Sequence, residues 1–155
     1  MSTKKRYFGI DLSKRSMEVA IVTDGSEKIL RKTYSNTVEG KKALLKTLKP
    51  LDTVALETGN GSFLLARLIE SRVSCKVHVL NAGKLHIIFE SLKKTDKSDA
   101  LNLARFIQRH PEDELPTVTI PSEEEMAMRS SVVEQERISK SRTASINALK
   151  NLYWN

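Results

Sequence analysis

Three strand-like runs crowd into the first 35 residues, and only then do helix patterns begin; that order constrains the fold more than any other feature. RYFGIDL (6–12) is a short aromatic and aliphatic run that reads as a buried strand ending at Asp11. After SKRS, the stretch MEVAIV (17–22) alternates well enough for a second strand, and Asp24-Gly25 is a hairpin turn signal. KILRKTYS (28–35) is therefore expected to run back antiparallel to it. Asn36 with Glu39 three residues on has the form of a capping box, opening a helix through VEGKKALLKTLK that Pro50 stops. TVALE (53–57) reads as a fourth strand ending at Glu57, and Gly59 and Gly61 mark a tight turn into the amphipathic FLLARLIESR. CKVHVL (75–80) reads as a fifth strand, followed by a helix near GKLHIIFESL. Within KKTDKSDALNLARFI (93–107), Ala100, Leu103, Ala104 and Ile107 form the expected buried stripe of a further helix.

A strand meander followed by strand–helix–strand units implies an α/β protein with a ribonuclease H-like mixed five-stranded sheet flanked by helices. In that arrangement the first and fourth strands lie parallel at the centre, so Asp11 and Glu57 stand at the carboxyl ends of neighbouring strands. Adjacent strands are about 4.8 Å apart, close enough for two such side chains to share a cation. Open α/β sheets place ligand sites at that edge. The expected organisation is a domain over 1–110, an acidic linker over 111–121 and a helical extension over 122–155, where Ser122 and Glu125 again have capping-box spacing.

Charge adds a second constraint. The formal net charge is +7 and it is segregated. Residues 84–109 carry six Lys or Arg against three acids, residues 129–150 five against two, and PEDELPTVTIPSEEE between them six acids and no base. An excess of this size attracts polyanions and favours nucleic acid as a partner. Cys75 is the single cysteine, which excludes an internal disulfide and suits a reducing cytoplasm. His78, His86 and His110 lack the spacing of a zinc site. No apolar run reaches the roughly 20 residues of a membrane-spanning helix, and the MSTKKRYFGI start is no secretory signal.

Four carboxylates then stand out: Asp11, Glu57, Asp96 and Asp99. The last two are three apart, a spacing that faces one side of a helix. Hard oxygen ligands suit Mg²⁺ or Mn²⁺, which keep waters and take phosphate oxygens as remaining ligands. Lys93, Lys94, Lys97 and Arg105 lie on the same stretch, placed to grip a nucleic-acid backbone. Three of these acids also have a plainer explanation. A strand-terminal Asp is often a turn former, Asp96 has the character of a helix cap, and Glu57 can pair with an arginine.

Three blocks, YFGIDLSKRSMEVAIV, ALETGNGSFLLARLIE and KKTDKSDALNLARFI, resemble those of the DEDD transposases, the insertion-sequence family that includes the Piv DNA invertase and the bridge-RNA-guided recombinases. TDKSDA is the most specific of them. The resemblance covers residues 5 to about 110 well and the remainder loosely. It implies a RuvC-like domain whose acidic tetrad falls on Asp11, Glu57, Asp96 and Asp99, the four already chosen from spacing. It further implies Mg²⁺ or Mn²⁺, DNA as substrate, a guide RNA in some members, and a homo-oligomer as the working full-length protein. Two departures are visible. Asn60-Gly61-Ser62 stands where the family usually has an aromatic, and Asn81-Ala82 where many members carry Asn-Pro. Members continue into a second domain bearing a serine implicated as nucleophile, so this chain, halting at LYWN, is expected to be an amino-terminal part. Ser130, Ser131 and Ser139 match no such motif. The alternatives are a self-contained RuvC-like nuclease or resolvase and an inert nucleic-acid-binding module. An ATPase of the actin and sugar-kinase type is disfavoured by the lack of a second Asp-Gly phosphate loop.

Overall fold

The computed structural model describes residues 4–59, 61–91, 98–122 and 124–129. The chain divides into two compact units, residues 1–120 and residues 121–155. In the first, the described residues form one five-stranded sheet from β1 (Arg6–Leu12), β2 (Ser16–Thr23), β3 (Leu30–Ser35), β4 (Thr53–Glu57) and β5 (Lys76–Leu80), in the order β3-β2-β1-β4-β5. β1 pairs antiparallel with β2 and parallel with β4; β2 pairs antiparallel with β3, and β4 parallel with β5. This is the mixed ribonuclease H-like sheet that the strand order implied, with β1 and β4 at its centre.

Strand alternation divides the apolar side chains between two faces. On one, Phe8 and Ile10 of β1, Val54 and Leu56 of β4, and Val77 and Val79 of β5 pack in one cluster with Leu44 of α1 (Val38–Thr47) and Leu65, Ala66 and Ile69 of α2 (Ser62–Val73). On the other, Tyr7, Ala55 and Leu80 meet Leu85 of α3 (Ala82–Ser91) and Leu103, Phe106 and Ile107 of α4 (Asp99–Arg109), while Ala20 and Val22 meet Ala100, Leu101 and Ala104. The four positions expected as the α4 stripe are all buried, joined by Leu101 and Phe106.

Gly9 sets how closely α4 approaches the sheet. A Cβ built there would stand 1.9 Å from the Ala100 carbonyl oxygen and 2.6 Å from the Ala104 nitrogen. Only a residue without a side chain lets the helix backbone rest on β1, and two alanines on the helix complete the contact.

The start of α1 differs from expectation. Its cap is Thr37, whose hydroxyl accepts from the Gly40 N–H at 3.1 Å. Asn36 donates instead to the Ser13 carbonyl at 2.9 Å, tying the β3–α1 turn to the β1–β2 hairpin. An asparagine with a tertiary acceptor in reach is no longer free to cap, and the neighbouring threonine takes the role. The stretch expected as an acidic linker is also packed. Leu115 is buried, Thr117 bridges Leu80 in antiparallel fashion, the Val118 N–H donates to Val79 at 2.8 Å, and Ile120 packs on the core. Its acids lie in the short 3-10 turn Glu112–Glu114, and its apolar residues follow β5.

Arg6 fastens the start of β1 to the turn before β4. Its Nε and Nη2 donate to the two oxygens of Asp52 at 2.9 and 2.6 Å, and Asp52 also accepts from the Lys49 N–H at 2.7 Å. Asp52 is 4% exposed. Asp52→Ala leaves the Arg6 guanidinium its bond to the Thr47 carbonyl at 3.0 Å but removes both carboxylate acceptors and the partner of the Lys49 N–H, so urea unfolding of this variant is expected to show a loss of about 2 kcal/mol.

In the second unit, the Glu125 N–H donates to the Ser122 hydroxyl at 3.1 Å and residues 124–129 are helical, the start expected at Ser122. Among the described residues no helix is long and apolar enough to cross a membrane.

Candidate metal centre

The β1–β4 register pairs Gly9 with Ala55 and Ile10 with Leu56, so Asp11 and Glu57 are the next pair along at the carboxyl ends of both strands. Alternation puts them on the face of Gly9 and Ala55, the face that α4 covers. Asp99 is the first residue of α4, one position before the Ala100 that rests on Gly9. The same contact that seats the helix therefore brings its amino end to the end of β1.

The electrostatics carry the mark of this convergence. Burial raises the Asp11 carboxyl above its ordinary value, and the charges of Asp99 and then Glu18 raise it further. Glu18 was not foreseen from the sequence. It lies on β2 directly across from Asp11. The hairpin closes on Leu12 and Met17 with four residues, Ser13 to Ser16, between them, and that register sets position 18 opposite position 11. A carboxylate already disfavoured by burial and two like charges is one that a cation would relieve.

The turns behind these acids are tightly made. Gly61 has φ +83°, and the Ser62 hydroxyl donates to the Gly59 carbonyl at 2.8 Å while accepting from the Gly59 N–H at 3.1 Å, fixing the chain just after Glu57. Asn81 accepts from the Lys84 N–H at 3.0 Å and so opens α3, while the Ala82 N–H donates to the Thr58 hydroxyl at 3.0 Å. A proline at position 82 lacks that N–H. The two departures noted in the sequence thus contribute bonds to the loops on either side of the carboxyl edge.

Not every expected site residue is brought into view. Asp96, Lys93, Lys94 and Lys97 lie outside the described residues. Ser98 is the extended cap of α4, accepting from the Leu101 N–H at 3.3 Å, and the helix starts at Asp99. Arg105 is half-buried on α4. Among the described residues, no group of three acidic, histidine or cysteine side chains is close enough to hold a metal. What the described part offers is hard oxygen donors on rigid elements, a chemistry that fits Mg²⁺ or Mn²⁺.

A comparison with curated proteins finds no significant match. A family model described as transposase, of the DEDD type named for IS110, matches residues 8–153. The matched span takes in every described strand from Phe8 onward and helices α1 to α4, together with Asp11, Glu57, Asp96 and Asp99. By sheet order and by this match, the chain belongs to the DEDD transposase family.

Proposed function

We propose that this chain carries the strand-cleaving and strand-transferring centre of a DNA transposase, with Asp11, Glu57, Asp96 and Asp99 holding one or more divalent cations, Mg²⁺ or Mn²⁺. The observation that carries the reading is the β1–β4 register, which makes Asp11 and Glu57 neighbours at a carboxyl edge where α4 begins. A bound ion of this kind supplies charge stabilisation at a phosphate oxygen and activation of an attacking oxygen. The protein's own part is to present anionic oxygens from two central strands and one helix end, a reading that the sheet register and the Gly9 contact support. Lys93, Lys94, Lys97 and Arg105 hold the DNA backbone beside the acids. A homo-oligomer on DNA is the working form, and a guide RNA is a further partner that the family resemblance implies.

The direct test is calorimetric titration of the chain with Mn²⁺. Glu57→Gln and Asp99→Asn, each removing one anionic oxygen ligand while keeping side-chain size, are expected to weaken binding by at least about tenfold. Wild-type affinity in both variants would overturn the assignment. For the nucleic-acid side, Lys93→Ala with Lys94→Ala is expected to reduce the slope of log K against log salt by nearly 2 on duplex DNA. An unaltered slope would remove both lysines from the footprint.

A further inference from the structure

At the opposite end of the sheet from the acids, the amino ends of β1, β4 and β5 and the carboxyl end of α4 enclose a cleft of about 290 Å³. Of its lining residues, Tyr7, Thr53, Ile107 and Leu115 are buried. Around it stand Lys5, Lys76 and Arg109, with His78 and His110 between them and Glu112 as the lining carboxylate. The lysine, arginine and glutamate charges alone, three cations against one anion, give the cleft +2. We propose that this cleft is a phosphate-binding site, separate from the carboxylate centre, that takes a phosphate group of nucleic acid or free phosphate.

Several observations support it. Lys5 sits 5.3 Å from the centre of the Tyr7 ring, so an ammonium is held at the wall of the cleft. The Lys76–Glu112 pair spans 3.2 Å with both side chains about two-thirds exposed, 66% and 62%. So exposed a pair contributes little, and an incoming anion displaces the carboxylate at little cost. Asp24, the nearby acid behind Tyr7, is already engaged by the Tyr7 hydroxyl at 3.3 Å and the Gln108 amide at 3.0 Å. The carbonyl of Phe106 near the end of α4 is covered twice, by the His110 N–H at 3.2 Å and by its Nδ1 at 3.0 Å, which donates because a carbonyl oxygen only accepts. The Glu112 carboxyl is held low by Lys76 foremost, with Lys5 contributing; His78 is lowered by burial, opposed by Glu112 and aided by Lys76 and Lys5. The rise of β4 from Thr53 to Glu57 puts the two ends about 13 Å apart, beyond the reach of one shared ligand.

The site is tested with the full 155-residue chain in EDTA, so that the outcome does not depend on the carboxylate centre. Amide and side-chain NMR signals of Lys76, His78 and Arg109 are followed during titration with inorganic phosphate and, separately, with a DNA duplex, using chloride at matched ionic strength as control. Saturable shifts with phosphate are expected. If the duplex produces the same shifts at concentrations at least tenfold lower, the source is the nucleic-acid backbone; if phosphate alone produces them, the source is free phosphate, and the site stands. Lys5→Gln with Lys76→Gln, both exposed and outside the core, is expected to weaken binding about tenfold, equivalent to about 1.4 kcal/mol. Glu112→Gln is expected to tighten it. Absence of saturable shifts with either probe, or equal affinity in the Lys5/Lys76 variant, would overturn the proposal.

Discussion

Gly9→Val is expected to lower Tm by about 10 °C, the largest stability loss of any single substitution on the carboxyl half of the sheet. The added Cβ meets backbone atoms of α4, which have no rotamer by which to retreat, at 1.9 and 2.6 Å. Either the helix lifts off β1 or the strand bends. Lifting the helix opens the contact that buries Ala100, Leu101 and Ala104 against Ala20 and Val22. Overpacking of this kind, with loss of apolar contact added, costs at least about 3 kcal/mol, and a chain of this length shifts Tm by roughly 2–4 °C per kcal/mol. Scanning calorimetry measures the size, and hydrogen exchange of the α4 amides locates it: faster exchange is expected along 100–107 before the rest of the unit. Gly9→Ala should show the same sign at smaller amplitude. A variant as stable as wild type would mean that the helix does not rest on Gly9.

The second prediction is a change of sign with metal. Asp11 has a folded-state carboxyl raised above its ordinary value, first by burial and then by Asp99 and Glu18. A raised acid is a destabilising one when ionised: at neutral pH the folded chain carries a charge that the unfolded chain accommodates more easily. As pH falls through the folded-state pKa the folded form takes up its proton first, and the penalty fades. In EDTA at pH 7, Asp11→Asn is therefore expected to melt higher than wild type, with the difference shrinking as the pH is brought down toward the carboxylate range. In saturating Mn²⁺ the order should reverse. Wild type gains about 2.7 kcal/mol at an ion concentration one hundred times its dissociation constant, and the variant gains little. Thermal melts of both proteins, with and without Mn²⁺, check it. A variant that gains as much from Mn²⁺ as wild type would remove Asp11 from the ligand set.

The strand order was readable because period-2 patterns and the Asp24-Gly25 turn are local signals that tertiary structure had no cause to override. The α4 stripe was readable for the same reason at period 3.6. What escaped the sequence was set by contacts across distance. Asn36 has the chemistry of a cap, yet its amide reaches Ser13 and Lys14, which no local pattern announces. Residues 111–120 look like a polar connector because Glu112, Asp113 and Glu114 dominate their composition, while the packing is done by Leu115, Thr117 and Ile120, too few and too widely spaced to show a period. In the candidate centre, Asp11 and Glu57 stand at strand ends, which local pattern locates, whereas Glu18 comes opposite Asp11 only through the Leu12–Met17 register, which no local pattern announces.

The antiparallel bridge from Thr117 to Leu80 also determines where the first unit ends. β5 is the outermost strand on its side, and without the Thr117–Val118 backbone its carbonyls would face water as an open template for another chain. Cutting the polypeptide at residue 110 would expose that template together with the core position under Ile120. The first compact unit accordingly runs through residue 120, and the acidic stretch is the hem that covers the outer edge of β5.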